Sequence, residues 1–254
     1  MACGEFGEGK MSSPRQIFVY LKNYFHQKNL VKNKNLKALI TTGPTREYLD
    51  PVRYISNESS GKQGYELALA LKRLGVKTKL ITGPTNLIHG NDLKIKKIIS
   101  AKEMMDEVKK SLPVDIAICA AAVSDFKPIR KSKTKIKRKN FNEKNITLEK
   151  NPDILDYLSK NNKARPGIVV GFSAETENVI HNSMTKIKEK HCDLIIANDV
   201  SRKSFGFNSD YNKVSIIDKN GKIKFIPKNK KSYIANIIAK IILDKLLVND
   251  KNFN

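Results

Sequence analysis

The sequence predicts an α/β protein of three layers, with helices on both faces of a mostly parallel central sheet. Short apolar segments alternate with amphipathic helical segments through most of the 254 residues. Such alternation implies right-handed crossovers and parallel strands. The first two strands each stop at a Gly-Pro turn, at residues 43–44 and 83–84. The expected fold class is therefore Rossmann-like, completed by a C-terminal β-hairpin and a long basic flap.

The predicted elements follow one another in a regular order. A strand at 36–41 leads through a long polar loop into a helix. That helix is expected to begin near Ser59 or Ser60, capped by a serine hydroxyl, and to end at Gly75. Further strands are expected at 76–82, 93–99, 114–123, 167–172 and 193–197, and further helices at 14–25, 101–112, 175–190 and 231–247. Segments 213–218 and 222–226, joined by Asn220-Gly221, predict the hairpin.

Composition argues against several classes of protein. No apolar run reaches the roughly 18 residues of a membrane helix, and the first residues do not resemble a signal peptide, so a cytoplasmic location is expected. Cys3, Cys119 and Cys192 lack the C-x-x-C spacing of a zinc site, and their odd number does not indicate a disulfide framework. The net charge is +23, but the lysines are spread along the chain with few interleaved aromatics, so nucleic-acid binding is not expected.

The loop at 42–59 is the most informative part of the sequence. Its 18 residues exceed the usual loop of a compact domain, which indicates either a functional loop or a solvated surface loop. It carries polar side chains suited to orienting a substrate: Arg46, Asp50, Arg53 and Asn57. The residues that follow offer free amides, a helix dipole and an ammonium group for a phosphate: Ser59, Ser60, Gly61 and Lys62.

A second segment is expected to meet this loop at the edge of the sheet. Ligands bind doubly wound sheets where the strand order reverses, which we place between the first and the fourth predicted strand. That arrangement puts the loop beside residues 121–125. Asp125 is then placed either to hold a ribose hydroxyl or to cap a turn.

Three later features have an ordinary structural interpretation, and the first of them also has a ligand-binding one. Residues 127–150 carry ten basic and two acidic side chains, which predicts either a disordered loop or a flap over a triphosphate that is poorly ordered without nucleotide. The segment 151–154, Asn-Pro-Asp-Ile, begins a helix by ordinary capping, with proline at the first position. Lys186 and Lys190 share one helix face, which is typical of a solvent-facing pair.

Six ordered segments resemble the phosphopantothenate–cysteine ligases, also called phosphopantothenoylcysteine synthetases, of coenzyme A biosynthesis. The first is GPTREYLDPVRYISNESSGKQG, and AAAVSDFKP, KIK, NPDI, GFSAETENV and LIIANDVS follow in the family's order, within residues 35–233. The resemblance covers most of the chain. Bacterial members of this family use CTP, whereas the eukaryotic type differs in nucleotide preference.

The resemblance implies roles for individual residues. Asn57 and Arg53 are expected to hold an activated carbonyl near the Ala122 backbone, and Lys135 to neutralise the α-phosphate. Gly43, Thr45 and residues 59–62 form the expected phosphate and substrate loop. The residues expected to contact CTP are Asp125, Lys135, Asn151, Pro152, Asp153, Ile154, Phe172, Lys186 and Lys190.

The implied reaction joins 4′-phosphopantothenate to L-cysteine. Because a carboxylate does not form an amide at neutral pH without activation, attack on CTP would first give an acyl-cytidylate and pyrophosphate. Mg²⁺ is expected with the triphosphate, although the sequence does not indicate its ligands. A homodimer is expected by resemblance, and a separate chain could supply the decarboxylase of the same pathway.

The first 35 residues are expected to be a remnant of that decarboxylase and a linker, with the ligase domain at 36–254. Residues 4–10 fit G-x-x-x-x-G-K, but Met11 stands where a P-loop needs Ser or Thr. The segment instead resembles the last conserved piece of the flavin-dependent phosphopantothenoylcysteine decarboxylase. Since the rest of that domain is missing, its cysteine, Cys3, is expected to be vestigial and FMN is not expected to bind.

Two other functions fit part of the pattern. A nicotinamide-dependent oxidoreductase has a similar fold but needs G-x-G-x-x-G, of which only Gly61 and Gly64 are present. A basic RNA-binding protein would explain the charge but not the uncharged polar residues of the loop.

Overall fold

The predicted Rossmann-like α/β fold is confirmed. The computed structural model describes residues 12–21, 33–88, 90, 93–137, 145–160, 163–200 and 209–251, and Cys3 lies outside this part. Its strands are β1 (Lys37–Thr42), β2 (Arg46–Tyr48), β3 (Tyr54–Ser56), β4 (Lys77–Thr82), β5 (Lys94–Lys97), β6 (Ile116–Cys119), β7 (Phe126–Pro128), β8 (Leu148–Lys150), β9 (Ile168–Glu175), β10 (Leu194–Asp199), β11 (Tyr211–Asp218) and β12 (Ile223–Lys230). Its helices are α1 (residues 14–21), α2 (Lys62–Arg73), α3 (Ala101–Ser111), α4 (Ile154–Lys160), α5 (Val179–Lys190) and α6 (Lys231–Lys251).

Eight of these strands form one sheet in the order β12-β11-β10-β9-β6-β1-β4-β5. The six strands from β10 to β5 are parallel, and β11 and β12 add the predicted antiparallel hairpin. The chain leaves β1 toward β4 and β5 and then returns to the other side of β1 at β6. The strand order therefore reverses between β1 and β6, where the sequence placed it.

Side chains of the central strands alternate between two apolar clusters, as a pleated strand requires. Ala38 and Ile40 of β1 pack with residues of α2 and α6, among them Leu71 and Ile238. Leu39, between them, faces the opposite cluster, to which α3, α4 and α5 contribute. Helices thus cover both faces of the sheet, which gives the three layers expected.

The 42–59 loop is more structured than the sequence suggested. It contains the antiparallel pair β2–β3, with Tyr48 opposite Tyr54 and their ring centroids 5.3 Å apart. The carboxylate of Asp50 closes the turn between them, since its Oδ1 accepts from the amides of Val52 and Arg53 at 2.8 Å each. Periodicity could not reveal strands of three residues, because a sequence pattern needs a longer run.

The predicted serine cap of α2 is wrong. The helix starts at Lys62 after Gly61, whose φ of 73° places it in the left-handed region, and no side chain caps it. A glycine is needed there because a side chain at Gly61 would be strained and would crowd Thr85. The predicted end is confirmed, since Gly75 follows the last turn with a φ of 88°.

The start of α4 differs by two residues from the prediction. Pro152 precedes the helix rather than opening it, and Asp153 is the cap, because its Oδ1 accepts from the amide of Asp156 at 2.9 Å. The flap expected at 127–150 begins and ends in an antiparallel pair, β7–β8, while residues 138–144 lie outside the described part. Among the described helices, none is long and apolar enough to span a bilayer.

Candidate functional site

A cavity of about 1030 Å³ opens at the carboxyl ends of β1, β6 and β9. Its wall is formed by the end of the 42–59 loop, the first turn of α2, the segment after β6 and the start of α4. The two segments flanking the strand-order reversal are joined directly. The amide of Thr45 donates to the carbonyl of Ala122 at 3.4 Å, and the amide of Ser124 donates to Oγ1 of Thr45 at 3.0 Å. The predicted adjacency of these segments is therefore present.

Most of the site residues predicted from the sequence border this one cavity. They are Asn57, Ser59, Ser60, Gly61, Lys62, Ala122, Asp125, Asn151, Pro152, Asp153, Ile154, Phe172, Lys186 and Lys190. Six other residues singled out in the sequence do not border it: Gly43, Thr45, Arg46, Asp50, Arg53 and Lys135. The cavity thus collects side chains that the sequence separates by more than a hundred residues.

Gly43 and Thr45 pack against neighbouring residues and do not border the cavity. Gly43 has a φ of 72°, and a Cβ on it would lie 2.8 Å from Cγ2 of Thr85. Thr45 is buried, and its hydroxyl is occupied by the Ser124 amide. In the neighbouring turn, the hydroxyl of Thr42 donates to the carbonyl of Gly61 at 2.8 Å, which fixes the start of α2 against β1. These contacts give Gly43 and Thr45 a structural role.

One end of the cavity carries two lysines held by nearby acceptors. Nζ of Lys186 donates to the carbonyl of Phe172 at 3.1 Å, and Nζ of Lys190 lies 2.8 Å from Oδ2 of Asp153. The hydrogen bond that Lys190 donates to Asp153 raises the pKa of Lys190 above its ordinary value. Burial raises the pKa of Asp153, but the Asp156 amide and Lys190 outweigh it and leave that pKa below its usual range. This end therefore holds fixed charges at neutral pH.

Asn151 joins the flap to the segment after β6. Its Nδ2 donates to the carbonyl of Ser124 at 2.9 Å, and its amide donates to the carbonyl of Asp125 at 2.8 Å. Its Oδ1 is buried and accepts no hydrogen bond in the described part of the chain. A buried acceptor of this kind at a cavity wall can receive a donor from a bound ligand.

Arg53 and Lys135 lie together, away from the cavity wall. Arg53 donates from Nη2 to the carbonyl of Ile136 at 2.5 Å, and its Nε lies 3.3 Å from Oδ2 of Asp50. Asp50 also accepts from the amide of Ile136 at 3.2 Å. Burial raises the pKa of Asp50, but three backbone amides and Arg53 outweigh it, so that its pKa is lowered overall. Asp50 therefore ties the exposed Lys135 segment to the loop rather than facing a substrate.

Several polar residues on the cavity wall were not predicted, among them Gln63, Asn198, Asn212 and Lys231. Nδ2 of Asn212 lies 3.1 Å from Oδ1 of Asn198 and 3.4 Å from Oε1 of Gln63. Asn198 lies within the segment LIIANDVS and could have been selected there. Asn212 and Lys231 have no local signal, since each stands at the edge of an ordinary strand or helix pattern.

Neither described cysteine is suited to nucleophilic chemistry. Burial raises the pKa of Cys119 and of Cys192 to about 12 each, so both thiols stay protonated at neutral pH. Within the residues that the structure describes, no group of three or more His, Cys, Asp or Glu side chains is placed to hold a metal ion.

Together these features define a Rossmann-like protein with a polar, lysine-bearing cavity at its strand-order reversal, suited to a phosphorylated ligand. The chain belongs to the family described as DNA/pantothenate metabolism flavoprotein C-terminal domain, whose model matches residues 33–246.

Several relatives of this chain are bifunctional proteins of coenzyme A biosynthesis. It is 41% identical over 242 residues to the coenzyme A biosynthesis bifunctional protein CoaBC of Haemophilus influenzae, covering 95% of this chain and 59% of that protein. It is 42% identical over 244 residues to CoaBC of Borreliella burgdorferi, covering 95% and 60%. The chain thus spans about three-fifths of the length of these relatives.

A solved structure shares the fold closely. The crystal structure of the C-terminal domain of the CoaBC bifunctional protein superimposes with a TM-score of 0.71 at 33% sequence identity. The match covers 87% of this chain and 99% of the other.

Proposed function

We propose that this chain catalyses the CTP-dependent ligation of 4′-phosphopantothenate with L-cysteine through an acyl-cytidylate, a step of coenzyme A biosynthesis. One observation carries the proposal. Five of the six sequence segments that resemble the ligases contribute side chains to the same cavity. Membership of the family and similarity to CoaBC proteins support the pathway.

The nucleotide is proposed to lie between the segment after β6 and helix α5. Phe172 offers an apolar contact for the base, and Lys186 and Lys190 offer cationic donors. Asp125 and Asn151 offer acceptors for ribose hydroxyls or an exocyclic amino group, in keeping with the buried Oδ1 of Asn151. Preference for CTP over ATP is part of the proposal and depends on this end of the cavity.

The acid is proposed to react near Asn57 and Ala122. Its carboxylate oxygen attacks the α-phosphorus of CTP, and the bond to the bridging oxygen breaks to release pyrophosphate. The amine of cysteine then attacks the acyl carbonyl, loses a proton, and displaces CMP as the amide forms. The attacking groups are the carboxylate of the acid and the amine of cysteine, and pyrophosphate and CMP are the groups that leave. No side-chain nucleophile is therefore required. The chain contributes positioning and fixed positive charge.

Arg53 and Lys135 are proposed to act from the flap side. Both lie on segments joined through Asp50 and Ile136, so that the loop and the flap would move as one unit. We expect the flap to bring Lys135 over the α-phosphate when nucleotide is bound. Magnesium would enter with the triphosphate and polarise its phosphoryl oxygens. The carboxylate of Asp125 on the cavity wall would be the one protein ligand of such an ion, since both oxygens of Asp153 are occupied by the Asp156 amide and Lys190.

The remaining predictions about the whole protein stay proposals. These are a homodimer, a cytoplasmic location and a ligase domain at 36–254. We also propose that a separate chain carries the decarboxylase and that this chain does not bind FMN. For the dimer, the β2–β3 and β7–β8 arms expose apolar side chains that a second copy could cover, among them Val52, Tyr54, Phe126 and Leu148.

The decisive experiment measures pyrophosphate release by the purified chain. With CTP, 4′-phosphopantothenate and cysteine all present, we expect pyrophosphate release to continue over many turnovers. When cysteine is omitted, we expect a single turnover. ATP in place of CTP is expected to support a much lower rate. If no pyrophosphate appears with the complete mixture, the ligase function is wrong. NADH oxidation or tight RNA binding would then favour the oxidoreductase or the nucleic-acid alternative.

A further inference from the structure

A second, smaller cavity lies beside β2, and the proposed ligase reaction makes no use of it. Its volume is about 300 Å³, and its walls include β2, the turn after β4 at 82–85 and the end of β5 at 97–99. No described residue borders both this second pocket and the larger cavity. The second pocket is therefore a site of its own.

Backbone hydrogen bonds hold the walls of the second pocket in a fixed arrangement. The amide of Arg46 in β2 donates to the carbonyl of Ile99 at 2.8 Å. The amide of Ile98 donates to the carbonyl of Thr82 at 2.9 Å, which joins the end of β5 to the end of β4. The fold itself forms the pocket, as is usual for small-molecule sites, so no ligand is needed to open it.

The charged side chains at the second pocket are cationic. Arg46 and Lys97 border it, and no described Asp or Glu does so. Neither cation forms an ion pair with a described residue. The Arg46 guanidinium instead lies over the ring of Tyr54, with Cζ 4.6 Å from the ring centroid. A guanidinium and an ammonium with no carboxylate beside them favour an anionic ligand.

The wall also contains a buried hydroxyl without a partner. Oγ1 of Thr85 is buried and forms no hydrogen bond in the described part of the chain. Leaving a buried hydroxyl in this state is costly, and the group can either donate or accept. Apolar side chains border the pocket around it, among them Leu87, Ile98 and Ile99. The pocket thus combines cations and one polar contact with an apolar surface.

Thr85 connects the second pocket to the larger cavity. A Cβ on Gly43 would lie 2.8 Å from Cγ2 of Thr85, and a Cβ on Gly61 would lie 2.9 Å from it. Gly61 precedes α2 and borders the larger cavity. A ligand that holds Thr85 in place therefore also holds the backbone at Gly61. Contacts of this kind couple two sites that share no lining residue.

We propose that the second pocket is an effector site for a small organic oxyanion. A carboxylate or phosphate head binds at Arg46 and Lys97, and a compact apolar body packs against Leu87 and Ile98. The volume of about 300 Å³ suits a fragment-sized anion and is too small for a nucleoside triphosphate. The bound anion holds Thr85, and through it the start of α2, in the arrangement that leaves the larger cavity open.

The first test measures binding of two probe anions by calorimetry. Benzoate carries the carboxylate head and phenyl phosphate the phosphate head, whereas inorganic phosphate lacks the apolar body and benzyl alcohol lacks the charge. We expect one of the two anions to bind with a Kd of about 1 mM or less, as a ligand of this size allows. It should bind at least about tenfold more tightly than inorganic phosphate and benzyl alcohol. If neither anion exceeds these two controls, the proposal is wrong.

Three variants assign the bound anion to the second pocket. Lys97→Met is expected to weaken its binding about tenfold, and Thr85→Val, which keeps the shape of the side chain without the hydroxyl, about three- to tenfold. Lys94→Met is the control, because Lys94 is exposed on the same strand and does not border the pocket, and it should stay within about twofold of the wild type. Equal affinity of the wild type and Lys97→Met would place the anion elsewhere and overturn the proposal.

The second test measures the coupling and rests on the proposed ligase function for its nucleotide. With the second pocket saturated by the better probe, we expect CTP to bind the wild type about fivefold more tightly, and CTP to tighten the probe by the same factor. Lys97→Met should bind CTP like the wild type without the probe and show no gain at the same probe concentration. Unchanged CTP affinity in the wild type would overturn the effector role. If the chain binds no CTP, the ligase function fails, whereas probe binding that depends on Lys97 still supports the second pocket.

Discussion

Asn57 donates a hydrogen bond from Nδ2 to the backbone carbonyl of Val123, with 3.0 Å between the two atoms. The contact joins the end of the β2–β3 arm to the segment after β6, across 66 residues of sequence. The Asn57 side chain therefore has a fixed orientation at the cavity wall before any ligand arrives. Preorganised polar groups of this kind act on a reacting centre without a further cost of ordering.

Replacement of Asn57 by Asp should slow the second half of the reaction. An aspartate cannot donate to the Val123 carbonyl, and it places a negative charge near the acyl-cytidylate. We expect steady-state turnover to fall about 10- to 1000-fold while the first pyrophosphate is still released, as for loss of an oriented donor. Quenched-flow detection of the accumulated intermediate measures this. Asn86→Asp, at an exposed site away from the cavity, is the control, and equal turnover of the two variants would disprove the role.

Replacement of Lys135 by Gln should remove activity without unfolding the chain. Lys135 is exposed in the described structure, so its loss leaves the core unchanged. We expect kcat to fall at least about 100-fold, because a cation at the α-phosphate would be missing, with the melting temperature within about 2 °C. Lys133→Gln, exposed in the same segment, should keep near-normal kcat. Similar rates for both variants would show that the charge of the flap as a whole matters, and not Lys135.

Replacement of Asp153 tests its two structural roles separately. Asp153→Ala removes both the cap of α4 and the ion pair with Lys190, so we expect a loss of about 1–2 kcal/mol in the free energy of unfolding. Asp153→Asn keeps a capping oxygen and should cost less than half as much. Urea denaturation measures both, and Asp156→Asn, which breaks only the partly exposed pair with Lys160, should cost under about 0.5 kcal/mol.

The pH dependence of that difference has a definite sign. The pKa of Asp153 is lower in the folded chain than its ordinary value of 3.8. Its stabilising contribution is therefore complete above about pH 4 and is lost as the pH falls below 3.8 through the folded pKa. We expect the stability gap between wild type and Asp153→Asn to be constant from pH 7 to pH 5 and to shrink below pH 4. A gap that widens on acidification would contradict this linkage.

Replacement of Gly64 by Ala should destabilise the fold, although alanine normally stabilises a helix by about 0.5–1 kcal/mol relative to glycine. A Cβ on Gly64 would lie 2.4 Å from Oγ1 and 2.6 Å from Cβ of Thr42. Relief of that overlap requires α2 to move from β1, at a cost of about 1–3 kcal/mol. Thermal and urea denaturation measure the change. The double variant with Thr42→Ala should recover part of the loss, and a stabilised single variant would rule out the close approach.

Much of the fold could be predicted from the sequence because long apolar and amphipathic segments carry their own periodicity. The parallel core strands, α2, α3, α5 and the β11–β12 hairpin were predicted in this way. Strands β2 and β3 were not, since each has three residues and depends on the Asp50 turn for its pairing. The start of α2 was misassigned for a related reason, because the left-handed conformation of Gly61 depends on its packing against Thr85.

The sequence by itself determined that this chain is an α/β protein with a long polar loop leading into a helix at one edge of its sheet. Only the tertiary structure decided which distant side chains complete that edge. It brought the side chain of Gln63 against the backbone of Lys231 across 168 residues, and it placed Gly43, Thr45 and Asp50 out of contact with the cavity. Local patterns encode secondary structure, whereas the burial and charge of a single residue are set by elements packed from remote parts of the chain.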